Sequence, residues 1–192
     1  MLNPDDTGAW GWIAVTTCVG VMAVMVHSDL RSAKIPNKLT YPAAAAGVLL
    51  HVVSAESVRS GLAQGFGGLA LGFGILFLGY MFGGIGGGDV KAAGALGALT
   101  GINTTAYGLL YSGLLGGAIA MGLMIWKGKF LSSMKNILRF FFTALIPMLE
   151  TEMPKDENQI PFPLGVALAG GWIWAMTEEG LLDAMPLIDL GI

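Results

Sequence analysis

Residues 62–82 read LAQGFGGLALGFGILFLGYMF, a run without a charged side chain. An α-helix needs about 20 mainly apolar residues to cross the hydrocarbon core of a bilayer, so this run predicts a transmembrane helix. About six apolar runs follow one another along the chain, near residues 9–27, 39–54, 62–82, 90–104, 105–126 and 161–177. We therefore expect an all-α, polytopic membrane protein in which residues 1–192 form a single transmembrane domain.

The composition supports this class. Hydrophobic residues make up 54% of the chain and charged residues 12%, whereas soluble domains carry about 25% charged residues. The 30 glycines would weaken soluble helices, but small residues let membrane helices approach closely. Three glycine pairs have the four-residue spacing of such contacts: Gly68 with Gly72, Gly97 with Gly101, and Gly113 with Gly117.

Several classes of partner and cofactor are not expected. The sequence shows no basic patch of the kind that binds nucleic acid, and we predict no nucleic-acid partner. Its single cysteine, Cys18, excludes an intrachain disulfide framework and a multi-cysteine zinc site. We expect Cys18 to be a small residue of the packed core.

Two segments depart from a simple span. Residues 90–104 are short and interrupted by glycines, so we expect a helix partly surrounded by protein, where lipid is excluded. Residues 127–160 carry apolar side chains at three- and four-residue steps, with basic residues on the opposite side. That pattern is typical of an amphipathic helix in the membrane interface, which we predict at the cytoplasmic surface.

Lysine and arginine are unevenly distributed between the predicted spans. With six spans, nine of the ten fall on one side and only Arg59 falls on the other. The nine are Arg31, Lys34, Lys38, Lys91, Lys127, Lys129, Lys135, Arg139 and Lys155. Because cytoplasmic loops are enriched in these residues, that side is predicted to be the cytoplasm, with both acidic termini outside.

Two carboxylates follow apolar runs at the predicted cytoplasmic edge, Asp29 after the first run and Asp89 after the third. Acids at membrane depth are costly and are therefore functional candidates. Taken alone, Asp29 also fits a charge in a solvated loop, and Asp89 fits the N-cap of the next helix. The five glycines within residues 83–88 exceed what a cap requires. They would let an extended substrate backbone approach Asp89 closely.

The motifs around these acids resemble those of prepilin peptidases. Gly86-Gly87-Gly88-Asp89 matches the GxGD motif of intramembrane-type aspartyl proteases. A second block resembles the Asp-x-Arg…Ile-Pro-Asn stretch that follows the family's first core helix; it consists of Asp29, Arg31, Ile35, Pro36 and Asn37. Residues 160–168, IPFPLGVAL, are similar to the start of the family's final helix.

The resemblance implies an aspartic endopeptidase of the cytoplasmic membrane, with Asp29 and Asp89 as the catalytic pair. It implies that leader peptides are cleaved from type IV prepilin-like precursors, each with a hydrophobic helix, at the cytoplasmic face of the bilayer. Neither a cofactor nor a metal is implied. The chain looks like the short, peptidase-only forms associated with Flp-type pili, so methylation of the new N-terminus is not expected.

Six further residues support the motifs: Gly86, Gly88, Arg31, Pro36, Asn37 and Lys91. On a helix, Lys91 is expected to point away from Asp89, two positions earlier, and to serve topology or lipid headgroups. Arg31 is expected to act as a positive-inside residue. We expect Pro36 and Asn37 to shape the entry to the second span, Asn37 as a cap or turn.

A second class of function remains open from the residues. Intramembrane acids and glycine-broken helices also occur in transporters. A small transporter, or a subunit of a pilus or secretion assembly, could use Asp29 and Asp89 to bind a proton or a cation. The shared predicted edge of the two acids, and the lack of an inverted repeat in the sequence, favour the peptidase.

Overall fold

A computed structural model describes residues 9–32, 35–81, 84–128 and 164–178. They form five α-helices: α1, Ala9–Ser32; α2, Asn37–Ser54; α3, Val58–Met81; α4, Gly87–Trp126; and α5, Leu164–Glu178. These ranges contain no β-strand, which confirms the all-α prediction for the described part of the chain. α1 packs against α2 and α5, and α2 packs against α3.

Local sequence explains where α2 and α3 begin. Pro36 precedes α2 with φ −72° and ψ 134°, and proline suits a helix start because its missing N–H is not needed there. Before α3, the Ser57 hydroxyl oxygen accepts a hydrogen bond of 3.2 Å from the backbone N–H of Ser60. That bond satisfies one of the N–H groups that a helix start leaves without an intrahelical partner.

The interior of the bundle is lined by small residues. A Cβ atom on Gly68 of α3 would overlap the carbonyl oxygen of Gly97 in α4, and one on Gly72 would overlap the carbonyl oxygen of Ala93. α3 and α4 therefore meet backbone to backbone. The first two predicted glycine pairs lie at this contact, since Gly68 also lies against the backbone of Gly101.

The third pair makes no such contact within the described residues, so its spacing stays without a partner helix there. A Cβ atom at Gly113 or Gly117 would meet no atom of the described chain within 4 Å, so neither glycine makes a close helix contact there. Cys18, by contrast, is fully buried, as expected for a core residue.

Large apolar side chains lie on the outside of the bundle. Phe66, Leu78 and Met81 of α3 are exposed, and Trp126 at the end of α4 is 85% exposed. This distribution suits a lipid environment, in which apolar surface is not driven inward. Among the described residues, three helices are long and apolar enough to cross a membrane by length and composition: α1 over Ile13–Arg31, α3, and α4. The chain is accordingly a membrane protein, but the predicted count of six spans is not confirmed.

α4 is interrupted at Gly101, where φ is 81° and ψ is 179°. Positive φ is open to glycine and strained for other residues. The side-chain oxygen of Gln64 accepts a hydrogen bond of 3.2 Å from the N–H of Ile102, the first residue after the break. The buried imidazole of His51 also lies against Gly101, and its Nε2 has no hydrogen-bond partner in the described ranges.

The break corrects one predicted boundary. Runs 90–104 and 105–126 are the two arms of α4, divided at Gly101 and not at residue 104. Residues 92–101 are all buried, which agrees with the expectation that the first arm is surrounded by protein.

The chain divides into two compact units, one of residues 1–115 and 163–192 and the other of residues 116–162. The described part of the second unit is the last part of α4 and the turn at residues 127–128. Most of the predicted interfacial segment 127–160, and both acidic termini, lie outside the described residues. The candidate site belongs entirely to the first unit.

Candidate active site

Asp29 lies in the last turn of α1, three residues before the helix ends, and its side chain is half-buried. It is therefore not part of a solvated loop. Its Oδ2 accepts a hydrogen bond of 3.0 Å from the backbone N–H of Gly165, the second residue of α5. The first acid is thus held between two helices that are distant in sequence.

Asp89 is the third residue of α4 and is also half-buried. The helix begins at Gly87, so Asp89 lies inside the first turn and not at the N-cap. The carbonyl oxygen of Gly86 accepts hydrogen bonds from the N–H groups of Asp89, at 3.1 Å, and Val90, at 3.3 Å. A Cβ atom on Gly86 would lie 2.9 Å from Oδ2 of Asp89. Glycine at this position therefore leaves space for the carboxylate.

Both acids line one cavity of about 320 Å³. Its walls come from the end of α1, the start of α2 and the start of α4 with the residues before it. The lining residues are Asp29, Ile35, Asn37, Gly86, Gly87, Gly88, Asp89 and Lys91. The end of α1 and the starts of α2 and α4 therefore share one end of the bundle, as the alternation of the predicted spans requires.

Lys91 lines the cavity as well, and its expected role in topology or at lipid headgroups stays a prediction. Its Nζ donates a hydrogen bond of 3.0 Å to Oδ1 of Asn37 and lies 5.7 Å from the centre of the Tyr41 ring. Both partners belong to α2. Lys91 therefore links the starts of α2 and α4 beside the two acids and places a positive charge there.

The other predicted supporting residues divide into two groups. Asn37 is the first residue of α2 and does not cap it, and Gly86 and Gly88 line the cavity with it. Arg31 and Pro36 are exposed and do not line the cavity. Pro36 occupies the N-cap position of α2 without a side-chain hydrogen bond, and its role is to start that helix.

Sequence reasoning did not assign Gly165 to the site. Residues 160–168 indicated a final helix, with Pro161 and Pro163 marking its start, but nothing in that pattern showed which group the start would face. A glycine in the first turn of a helix was the available signal, because it permits close approach of another chain segment.

The chemical groups that line the cavity determine which reactions it can support. Two carboxyls, one ammonium group and glycine backbone lie together in a half-buried space. Two neighbouring carboxyls can divide the roles of general base and general acid. In the ranges that the structure describes, no group of three or more His, Cys, Asp or Glu side chains is placed to hold a metal ion.

Comparison with known proteins gives one match. The sequence model of the type IV leader peptidase family matches residues 16–121, just over half of the chain. The matched range contains both acids and all the residues that line the cavity. Neither the curated proteins nor the solved structures contain a match to the chain.

Proposed function

The chain belongs to the type IV leader peptidase family, and on that premise we propose that it is an aspartic endopeptidase with Asp29 and Asp89 as its catalytic pair. The single observation that carries the proposal is that these two acids, 60 positions apart in the sequence, line the same cavity. Two acidic side chains that share one site at membrane depth are expected to be functional, because burying a charged group there otherwise costs free energy.

In the proposed reaction, the two carboxyls share one proton, because adjoining negative charges repel each other. The ionised carboxylate takes a proton from water, whose oxygen forms a bond to the scissile carbonyl carbon. The protonated carboxyl polarises the carbonyl oxygen. The C–N bond then breaks, and a proton passes to the departing amine.

The proposed substrate is a type IV prepilin-like precursor with an N-terminal leader and a hydrophobic helix. The apolar helix would lie in the bilayer beside the bundle, and the leader junction would enter the cavity at the cytoplasmic face. Glycine backbone at Gly86, Gly87 and Gly88 supports this proposal, because an extended peptide can approach a wall without side chains. Helical peptide bonds are hydrogen-bonded internally, so the junction must unwind before cleavage.

The proposal also includes location and product. We propose that the enzyme lies in the cytoplasmic membrane with the cavity at the cytoplasmic face, because Lys and Arg are concentrated on that predicted side. Cleavage without methylation of the new N-terminus follows from the resemblance to the short, peptidase-only forms.

A processing assay tests the proposal. A candidate prepilin is co-expressed with wild type, Asp29→Asn or Asp89→Asn, and the pilin is analysed by size and by N-terminal sequence. Glu56→Gln is the matched control, because it replaces an exposed acid in the connection between α2 and α3, away from the cavity. All four proteins must be present in the membrane in equal amounts.

Leader loss with wild type and Glu56→Gln, and none with either aspartate variant, is the expected result. Cleavage that survives substitution of Asp29 or Asp89 would overturn the catalytic pair. Failure of folded wild type to cleave any of several prepilin-like precursors would overturn the substrate assignment and return attention to proton or cation binding at the two acids.

A further inference from the structure

The start of α5 meets the carboxylate of Asp29, although 136 positions separate Asp29 from Gly165. The first N–H groups of any helix lack intrahelical partners. At the start of α5, the N–H of Gly165 donates to Oδ2 of Asp29 at 3.0 Å. The acid of α1 therefore serves as a tertiary cap for α5, and the two helices also pack against each other.

This contact restrains the orientation of the Asp29 carboxyl group. A carboxylate is planar and has two acceptor oxygens. A hydrogen bond that holds Oδ2 therefore restricts the direction of Oδ1 as well, and Asp29 lines the cavity that contains Asp89.

The contact also requires glycine at position 165. A Cβ atom built there would lie 2.7 Å from Oδ2, 3.0 Å from Cγ and 3.1 Å from Cβ of Asp29. These are the three nearest atoms, and all belong to one residue. An alanine would therefore push the Asp29 side chain away or move the start of α5, and Gly165 itself is buried.

We propose that Gly165 is a positioning residue of the peptidase: its N–H group and its missing side chain hold the Asp29 carboxylate in the orientation that water activation needs. This inference rests on the proposed function, since it deepens the role of one proposed catalytic acid. Gly165 acts through Asp29 and does not itself take part in bond making or breaking. α5 thereby becomes part of the active site through its backbone.

The first experiment tests the contact between Gly165 and Asp29 by protein stability, independently of activity. Thermal unfolding of the purified full chain is compared for wild type, Gly165→Ala, Asp29→Ala and the double variant. Gly165→Ala should lower Tm clearly in the wild-type background and by less than half as much in the Asp29→Ala background, where Oδ2 and Cγ are gone. Equal losses of Tm in both backgrounds would overturn the proposed contact.

A matched control is available on the same helix. The nearest atom to a Cβ on Gly170 is the flexible end of the Leu115 side chain, at 3.2 Å. Gly170→Ala should therefore cause the same small change of Tm in the wild-type background and in the Asp29→Ala background. If Gly165→Ala alone fails to accumulate, recovery of folded protein in the double variant supports the contact, and failure of both overturns it.

The second experiment measures cleavage of a prepilin-derived precursor by the folded fraction of each variant. Misplacement of a catalytic group by about 1 Å can reduce the rate by as much as 10²-fold. Gly165→Ala is therefore expected to lower kcat by roughly 10- to 100-fold while KM changes by less than about twofold, because the lost alignment matters mainly in the transition state. Gly170→Ala should retain the wild-type kcat.

Together, the two experiments distinguish a failure of the positioning role from a failure of the proposed function. If Asp29→Asn and Asp89→Asn abolish cleavage but Gly165→Ala retains the kcat of Gly170→Ala, the positioning role is overturned and the peptidase assignment stands. If the aspartate variants still cleave, the assignment of Asp29 and Asp89 as the catalytic pair fails, and the positioning role of Gly165 fails with it. The unfolding cycle then reports only whether Asp29 caps α5.

Discussion

The backbone of Gly68 in α3 lies directly against the backbone of Gly97 in α4, and each glycine occupies space that a Cβ on the other helix would need. The contact is reciprocal, because a side chain on either residue would overlap the carbonyl oxygen of the other. α4 carries Asp89 at its start. The position of the proposed catalytic acid therefore depends on how closely α3 and α4 approach.

Substitution of Gly68 by alanine should destabilise the bundle. Over-packing of a close contact typically costs about 1–3 kcal/mol, because the two backbones must move apart. Thermal unfolding in detergent measures the loss. Gly74→Ala is the control on the same helix, since a Cβ there meets nothing within 4 Å. Equal stability of the two variants would contradict the backbone contact.

Gly101→Ala should also lower stability, for a different reason. Its φ of 81° lies in the region that residues with a side chain rarely adopt, and such strain costs on the order of 1–3 kcal/mol. A Cβ there would also lie 3.0 Å from the Gln64 oxygen and 3.1 Å from Cε1 of His51. Thermal unfolding should show the loss.

The control for this substitution is Gly113→Ala, which lies in the helical part of α4 and meets no described atom within 4 Å. Alanine favours a helix by up to about 1 kcal/mol over glycine, so this variant should be neutral or more stable. A Gly101→Ala protein as stable as Gly113→Ala would show that the break is not required.

The hydrogen bond between Lys91 and Asn37 should contribute modestly to stability. A double-mutant cycle of Lys91→Met and Asn37→Ala is expected to give a coupling free energy below about 1 kcal/mol, because a partly exposed bond competes with water. Chemical or thermal unfolding of the four proteins measures it. Lys38→Met, an exposed lysine of α2, should show no coupling to Asn37→Ala. A coupling as large for Lys38 as for Lys91 would contradict the specific link.

Chelation of divalent metal ions should leave precursor cleavage unchanged within about twofold, because the proposed chemistry uses two carboxyls to activate water instead of a metal-bound water. The assay compares initial rates before and after treatment with a strong chelator, beside a metallopeptidase that serves as the positive control. Loss of cleavage that zinc restores would contradict the carboxyl-pair mechanism.

Much of the site was predictable because its chemistry is concentrated in short motifs. Asp29 and Asp89 follow apolar runs, and the alternation of runs along the chain predicts that both lie at one end of the bundle. The cavity contains both acids. Close glycine contacts were predictable only in part: four-residue spacing identified Gly68 and Gly97 but equally selected Gly113, because spacing does not reveal whether a second helix lies opposite.

Contacts between distant segments were not predictable from local patterns. Lys91 follows Asp89 by two positions, but its long side chain reaches Asn37 of α2. The role proposed for Gly165 depends on its contact with Asp29, which is 136 positions away in the sequence. Helical periodicity describes which residues share a face of one helix; it carries no information about which atom of another helix that face meets.

Because α4 is interrupted at Gly101, we expect the position of Asp89 to depend little on the thickness of the surrounding bilayer. The arm of residues 87–100 is about 21 Å long at 1.5 Å per residue, too short to match a hydrocarbon core of about 30 Å. Its buried part is held by protein neighbours, whereas an uninterrupted helix would tilt as the bilayer became thinner or thicker. We therefore expect a change in lipid thickness to act on the longer arm of α4, residues 102–126, more than on the short arm that carries Asp89.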